Sequence, residues 1–328
     1  MNIYFVGGSI TEGAGASKYE NSYAALVSKY LKDEYKENLN IINLGAGGTG
    51  SNFGVFRISQ YFKEKRPDVV FLEFAVNDRI FPLEDINIYY ENLIIEIFKW
   101  NKEVKIVSLE MPTGMSDSCS TAHKKIAYHY NIPVIDVQDS VWKEIGSDKY
   151  TWNDISIDNL HPNDMGHKTY CQIIIEVLKN LNFGEIECWG DKKPTTNYIL
   201  RNPGIKSYEE CTFYGNWIEK EVNLNNKFSV GAMTENIGDC IEINFKGRYL
   251  SVMALLSKAS GILECILDDK FTFKLDLYMN NEEYFSTLIN LKDIEDGNHN
   301  LLMKLSENRN PESSGNKIII GGFLVEEG

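Results

Sequence analysis

The sequence predicts an α/β protein with a parallel sheet covered by helices on both faces, followed by an all-β sandwich. Three observations carry that prediction. Over residues 1 to 180, short apolar runs rich in β-branched and aromatic residues alternate five times with amphipathic stretches. The connections between them are short, as successive βα units require. From about Phe183 the helical periodicity stops, and seven or so β-rich runs follow at regular spacing. A chain of 328 residues has room for both parts. The boundary is expected near residue 190, with a first domain over 1–185 and a second over 195–328. Asp191-Lys192-Lys193-Pro194 reads as the linker.

The first strand is Ile3-Tyr4-Phe5-Val6, stopped by Gly7-Gly8 and followed at once by Ser9. Ser22 to Lys36 carries apolar residues at Tyr23, Leu26, Val27, Tyr30 and Leu31, the stripe of an amphipathic helix. Ile41 to Leu44 is a second strand, ending in the cluster Gly45-Ala46-Gly47-Gly48-Thr49-Gly50. Ser51 is placed to cap the next helix, which Arg66-Pro67 stops. Asp68 to Phe74 is almost continuously apolar, as a strand covered on both faces should be. It leads into Ala75-Val76-Asn77-Asp78. A helix over 84–101, a strand over Val104 to Leu109, a helix over about Asp117 to Tyr130 and a strand over Pro133 to Val137 follow. A polar stretch, Tyr150 to His161, precedes a last helix over Pro162 to Asn180, with Pro162 suited to its first position.

The β-rich runs are Cys240–Phe245, Tyr249–Leu255, Ile262–Leu267, Phe271–Tyr278, Tyr284–Leu291, Asn300–Leu305 and Ile318–Val325. Lys246-Gly247, Asp268-Asp269, Asn280-Asn281 and Asp296-Gly297-Asn298 read as the turns between them.

Composition narrows the function classes. The net charge of −14 repels phosphate backbones, so nucleic acid is not an expected partner. Six scattered cysteines without a C-x-x-C pair argue for reduced thiols over a disulfide framework or a zinc site. No basic segment with an apolar core precedes the first strand, and no apolar run reaches membrane-spanning length. A cytoplasmic location is therefore expected, or a secreted one if a leader has been removed.

Four places combine a strand end or a pre-helix loop with reactive or donor groups: Ser9, Gly48, Asn77, and the pair Asp158 and His161. Taken singly, Ser9 reads as a turn or cap, Gly48 as a tight turn, Asn77-Asp78 as a turn pair and His161 as a helix-start residue. Together they form the parts needed to hydrolyse an ester. A serine hydroxyl needs a base to take its proton, and histidine titrates in the right range. The imidazole needs a carboxylate on its other nitrogen, and Asp158 stands three residues before His161. The tetrahedral intermediate needs donors for its oxyanion, which a glycine N–H, the serine N–H and an asparagine amide can supply.

Gly7-Gly8-Ser9-Ile10-Thr11, the Asn43-to-Gly48 glycine loop, Val76-Asn77-Asp78 and Asp158-Asn159-Leu160-His161-Pro162 resemble, in the same order, the four blocks of the SGNH (GDSL-type) hydrolases. The resemblance covers about residues 2–180. It implies a flavodoxin-like three-layer α/β/α sandwich with a five-stranded parallel sheet. It also implies Ser9 as nucleophile, His161 as base and Asp158 as its orienting acid, with Ser9, Gly48 and Asn77 as the oxyanion hole. Gly8 stands where the family often has aspartate, and Ala75 where its third block often has glycine.

The function expected is that of a serine esterase needing no cofactor and no metal, acting on a small-molecule or glycan acyl ester, most plausibly as a carbohydrate O-acetylesterase. A lipid or thioester hydrolase, or an acyltransferase, would use the same chemistry, and a non-catalytic glycan-binding protein is a reading of another class. The rival motif is Gly45-Ala46-Gly47-Gly48-Thr49-Gly50, which fits the dinucleotide-binding fingerprint G-x-G-x-x-G after a strand, with Glu73 at the next strand end, and would make the chain a dinucleotide-binding oxidoreductase. It leaves Ser9, Asn77, Asp158 and His161 without a role.

His167, on the last helix, reads as structural; His123 and His129 lie on the preceding helix with lysines, His299 lies in the second domain, and none has metal-ligand spacing. In the second domain, Leu263 to Asp269 and Gly297 to Leu301 resemble accessory β-domains of glycan-active enzymes, expected to be jelly-roll-like. Trp189, Trp217 and Tyr214 are candidate sugar-stacking residues there, against packing as the other reading. A role in packing or in a homo-oligomer stays open for this domain.

Overall fold

The computed structural model describes residues 1–35, 38–115, 118–222, 224, 226–281 and 283–326, with only the main chain of residue 293. The chain divides into two compact units, Met1–Ile199 and Leu200–Gly328.

The first unit runs β1 (Asn2–Gly7), α1 (Ser9–Glu12), α2 (Tyr23–Tyr35), β2 (Asn40–Gly45), α3 (Ser51–Phe62), β3 (Val69–Glu73), α4 (Ala75–Asp78), α5 (Leu83–Trp100) and β4 (Lys105–Glu110). It continues through α6 (Ser120–His129), β5 (Val134–Asp136), α7 (Val137–Gly146), α8 (Trp152–Ile155) and α9 (Asp164–Leu178). The five strands pair in parallel in the order β2-β1-β3-β4-β5. The chain steps outward from β1 to β2, then returns past β1 to β3. That reversal is the flavodoxin-like switch point, and it opens a crevice at the carboxyl ends of β1 and β3.

Side chains alternate across the sheet and set the three layers. Ile3 and Phe5 face one core with Val69 and Phe71, covered by Val27 and Leu31 of α2, Val141 of α7 and Ile174 of α9. Phe5 and Phe71 are register partners, stacked 4.7 Å apart. Tyr4 points to the other face, where its ring meets Phe62 of α3 at 4.8 Å. β3 is buried along its whole length, so its near-continuous apolar character reflects helices on both sides.

Three local readings change. The last helix begins at Asp164 rather than Pro162, because Asn163 caps it by accepting from the Gly166 N–H at 3.0 Å. Helix α7 follows β5 directly, started by Asp136, whose side chain accepts from the Asp139 N–H; its polar outer face hid it in the sequence. The preceding helix starts at Ser120, and Asp117 lies outside the described residues. Residues 186–199 are tied to the first unit: Trp189 N–H donates to Tyr130 O, and Glu91 accepts from Thr195 and Thr196.

The second unit is antiparallel and all-β: β6 (Pro203–Ser207), β7 (Thr212–Tyr214), β8 (Ile218–Glu221), β9 (Val230–Thr234), β10 (Cys240–Leu256), β11 (Ile262–Leu267), β12 (Phe271–Asp276), β13 (Tyr284–Leu305) and β14 (Ile318–Glu326). They join in one sheet, β12-β11-β13-β10-β14-β9-β8, with β6 on β14 and β7 on β10. Two of the expected turns are not turns. Gly247 pairs with Gly297 and Lys246 with Asn298, inside a continuous β10–β13 ladder with a register shift between Gly247 and Tyr249. Gly247 has φ 120°, which a side chain resists. Across this bulge the buried set changes from Ile241, Ile243 and Phe245 to Leu250, Val252 and Ala254. Both halves of β10 thereby face one core, while β13 crosses the irregularity with three more residues than β10. β6 to β9 were not visible as strands in the sequence, since β7 and β8 are short and largely exposed.

Candidate active site

Ser9 is the first residue of α1, two residues past the end of β1. The chain turns there because the positions before it have no room for side chains. A Cβ on Gly7 would lie 2.3 Å from Thr11 Oγ1 and 2.7 Å from Glu73 O. The α1 turn closes with Gly13 in the left-handed region, φ 108°.

Asp158 and His161 sit at the tip of a loop whose stem is pinned. Ile157 N–H donates to His161 O, and Asn163 N–H donates to Ile155 O, both at 3.0 Å. Within the tip, Asp158 Oδ1 accepts from the N–H groups of Leu160 and His161 at 2.6 and 2.7 Å. Its second oxygen is 2.8 Å from His161 Nδ1. Across the crevice, His161 Nε2 is 2.9 Å from Ser9 Oγ. One oxygen of Asp158 therefore folds the loop while the other orients the ring. Burial works to raise the Asp158 pKa, but the His161 ring and the two N–H groups outweigh it and hold the carboxyl below its ordinary value. Trp152 Nε1–H donates to Asp158 O at 2.9 Å and stacks on Trp142. Gly114 N–H donates to Asn159 O at 2.8 Å.

The glycine loop after β2 runs beside the serine. A Cβ on Gly47 would be 3.6 Å from that of Ser9, and Gly47 N–H donates to Glu12 Oε2 at 2.9 Å. Gly48 is left-handed, φ 71°. From the end of β3, Asn77 reaches the same place: a Cβ on Gly8 would stand 2.2 Å from Asn77 Oδ1. Among the described residues, the N–H groups of Ser9 and Gly48 and the Asn77 side-chain amide have no hydrogen-bond partner. Uncommitted donors of this kind are what an oxyanion requires.

Several neighbours were not singled out by sequence reasoning. Glu12 stands three residues after Ser9 on the same helical face, a spacing that could have drawn attention to it. Asp164 accepts from Ser17 N–H, Ser17 Oγ and Asn21 Nδ2, tying residues 17–21 to the start of α9. Glu73 is fully buried, accepts from Thr11 Oγ1 at 2.8 Å and leaves Oε1 unpartnered. Burial pushes its carboxyl up to about 8, against the Thr11 hydroxyl and the N–H groups of Gly8 and Thr11.

The dinucleotide reading of the glycine loop meets this same geometry. Glu73 is sealed from any ribose, and the Gly47 N–H is occupied by a carboxylate whose charge opposes a phosphate.

The remaining histidines have other partners. His167 accepts from Tyr23 N–H at Nδ1 and donates to Ala14 O from Nε2, and burial lowers its pKa. His129 Nε2 meets Lys193 O. All six cysteines are free thiols. Among the described residues no cluster of His, Cys, Asp and Glu is arranged to hold a metal, and no helix is long and apolar enough to cross a membrane.

In the second unit, the runs Leu263 to Asp269 and Gly297 to Leu301 lie together: Leu267 pairs with Leu301, and Asp268 holds both His299 Nδ1 and the Asn300 N–H. Trp217 packs on Phe213 beside the core, and exposed Tyr214 donates to Glu242. Trp189 belongs to the first unit instead, with Lys192 Nζ 4.5 Å above its ring.

Two comparisons bear on this site and fold. A two-domain esterase (CEX) active on acetylated mannans, co-crystallised with mannopentaose, matches 100% of this chain and 91% of its own at 24% identity, with a TM-score of 0.85. A second structure of a two-domain esterase (CEX) active on acetylated mannans matches 100% and 92% at 24% identity, with a TM-score of 0.81. At that identity the likeness is one of fold. Comparison with curated proteins returns no match. The model of the GDSL-like lipase/acylhydrolase family matches residues 5–169, half of the chain, from within β1 to within α9, a span that carries Ser9, Gly48, Asn77, Asp158 and His161. The chain belongs to that GDSL-like lipase/acylhydrolase family and is an ester hydrolase.

Proposed function

We propose that Ser9, His161 and Asp158 form the catalytic triad of a carbohydrate O-acetylesterase, with Ser9 N–H, Gly48 N–H and the Asn77 amide as its oxyanion hole. The observation that carries the reading is the unbroken chain Ser9 Oγ–His161 Nε2 at 2.9 Å and His161 Nδ1–Asp158 Oδ2 at 2.8 Å.

Ser9 Oγ attacks the acetyl carbonyl while His161 Nε2 takes its proton, and Asp158 stabilises the imidazolium. The carbonyl oxygen becomes an oxyanion received by the three uncommitted donors. Collapse expels the sugar hydroxyl, protonated by His161, and leaves an acetyl-Ser9 ester. Water, deprotonated by His161, attacks that ester and releases acetate and free Ser9.

The acetylated-glycan substrate is supported by the named substrate of the two structures sharing this fold. The half-exposed Asp158 and accessible His161 support a crevice open to a bulky acyl acceptor. The test is acetate release from acetylated mannan and from p-nitrophenyl acetate and octanoate, by wild type and Ser9→Ala. Acetate release that disappears in Ser9→Ala is the expected result. Preference for octanoate would move the substrate to lipids, and unchanged turnover in Ser9→Ala would sink the mechanism.

A further inference from the structure

Behind the turn that carries Asn77 lies a buried Asp–His pair that the chemistry above does not touch. His123 of α6 is 1% exposed and lies flat on Tyr90, ring centroids 3.7 Å apart and planes within 6°. Its Nε2 stands 3.1 Å from Asp78 Oδ2, and Asp78 is fully buried. The other oxygen, Oδ1, accepts from the Ser51 N–H at 2.8 Å, where the glycine loop passes into α3. A Cβ on Gly50 would fall 2.3 Å from that same oxygen.

Helix α6 also holds the opposite end of α4. Cys119, the residue before α6, directs its N–H and its thiol to Ala75 O, at 3.5 and 3.0 Å. Ala75 and Asp78 are the two ends of a four-residue helix, and Asn77 lies between them. One carboxylate thus joins the exit of the loop bearing Gly48 to the turn bearing Asn77, and one histidine faces that carboxylate.

Cysteine, histidine and aspartate in contact resemble a second nucleophilic set, but the geometry does not support one. Cys119 Sγ, at 3.6 Å, and Asp78 Oδ2 address the same ring nitrogen of His123, so the ring cannot accept from one and be oriented by the other. Burial also raises the Cys119 pKa, away from thiolate character.

We propose that His123 is a positioning residue for the oxyanion hole, holding Asp78 as the buried clamp between the Gly48 loop and the Asn77 turn. A buried carboxylate with a single backbone donor is strongly disfavoured, whereas one paired with a cation keeps its charge and its acceptor role. Burial disfavours the His123 cation, but Asp78 outweighs it, with Cys119 and Glu110 adding, and raises its pKa well above the ordinary value. This inference rests on the assignment of Gly48 and Asn77 as oxyanion donors.

The test compares kcat and KM on p-nitrophenyl acetate for wild type, Asn77→Ala, His123→Leu and His123→Gln. Rates are normalised to the folded, active fraction by titration with a fluorophosphonate that labels Ser9. His123→Leu is expected to lose about 10- to 100-fold in kcat, with KM within about twofold, because the donors shift by a fraction of an ångström. His123→Gln keeps a donor towards Asp78 and is expected to recover part of that loss. Wild-type kcat per active site in His123→Leu overturns the proposal. So does failure of both His123 variants to fold, which assigns the pair to stability alone. Full activity in Asn77→Ala overturns the oxyanion assignment itself. Loss in Asn77→Ala without loss in the His123 variants overturns only the positioning role.

Discussion

A Cβ atom on Gly8 would stand 2.2 Å from Oδ1 of Asn77, so the glycine before Ser9 and the asparagine after β3 fill one space between them. Gly8 is where the family often carries aspartate, and in this chain the side-chain amide of Asn77 takes up that room. Gly8→Ala is therefore expected to push the amide away from Ser9 and lower kcat roughly 100-fold, the scale of losing one oxyanion donor. KM should change little, because the donor acts on the transition state. Steady-state kinetics on p-nitrophenyl acetate checks it, and unaltered kcat would mean that Asn77 does not work from this position.

Asp158→Asn keeps an oxygen to accept from the Leu160 and His161 N–H groups, so the loop should fold. The new amide then points a donor at His161 Nδ1 and favours the wrong tautomer. Turnover is expected to fall about 10⁴-fold, with an unchanged circular dichroism spectrum. A drop of less than about tenfold would remove Asp158 from the triad.

Glu73 makes a stability prediction that depends on pH. Its folded-state pKa, about 8, lies above the ordinary 4.5, so between those values the folded chain keeps a proton that the unfolded chain has released. The stabilisation is complete below about pH 4 and is lost as pH rises through about 8. Glu73→Gln does not titrate, so the melting temperature of wild type should fall relative to the variant between pH 5 and pH 8. Glu110, also raised by burial, is present in both proteins and cancels in the comparison. Parallel melting curves across that range would show that Glu73 is ionised in the folded chain.

Asn163→Ala removes the side-chain cap of α9, directly after the loop that presents His161. A loss of about 1 kcal/mol in unfolding free energy is expected, seen as a lower urea midpoint with the same slope. The loop bearing Asp158 and His161 is also tied by Ile157–His161 and Asn163–Ile155 backbone bonds, so kcat should change less than stability does.

The fold class and the residues of the candidate site were legible in the sequence for separate reasons. Parallel strands covered on both faces write themselves as short apolar runs, and β1, β3 and β4 could be found that way. Ser9, Gly48, Asn77, Asp158 and His161 were legible because each follows a strand or precedes a helix, where ligands meet an open α/β sheet. What escaped was written in contacts distant in sequence. Helix α7 was hidden by its polar outer face. Gly247 looked like a turn because glycine serves an irregular strand and a turn by the same left-handed freedom, and Asp296-Gly297-Asn298 carries turn residue types although it pairs with β10.

By itself, then, the sequence determined the order of the layers, the division into α/β and all-β parts, and the residue types needed for ester hydrolysis, because periodicity and turn chemistry are local. The tertiary structure decided which of those residues meet: 152 positions separate Ser9 from His161, yet their reactive atoms lie 2.9 Å apart. It alone also revealed the supporting contacts, Glu12 on Gly47, Asp78 on Ser51 and His123, and Asn77 over Gly8. Distance and burial are set only when the sheet closes, and they turn an ordinary Asp, His or Gly into part of a site.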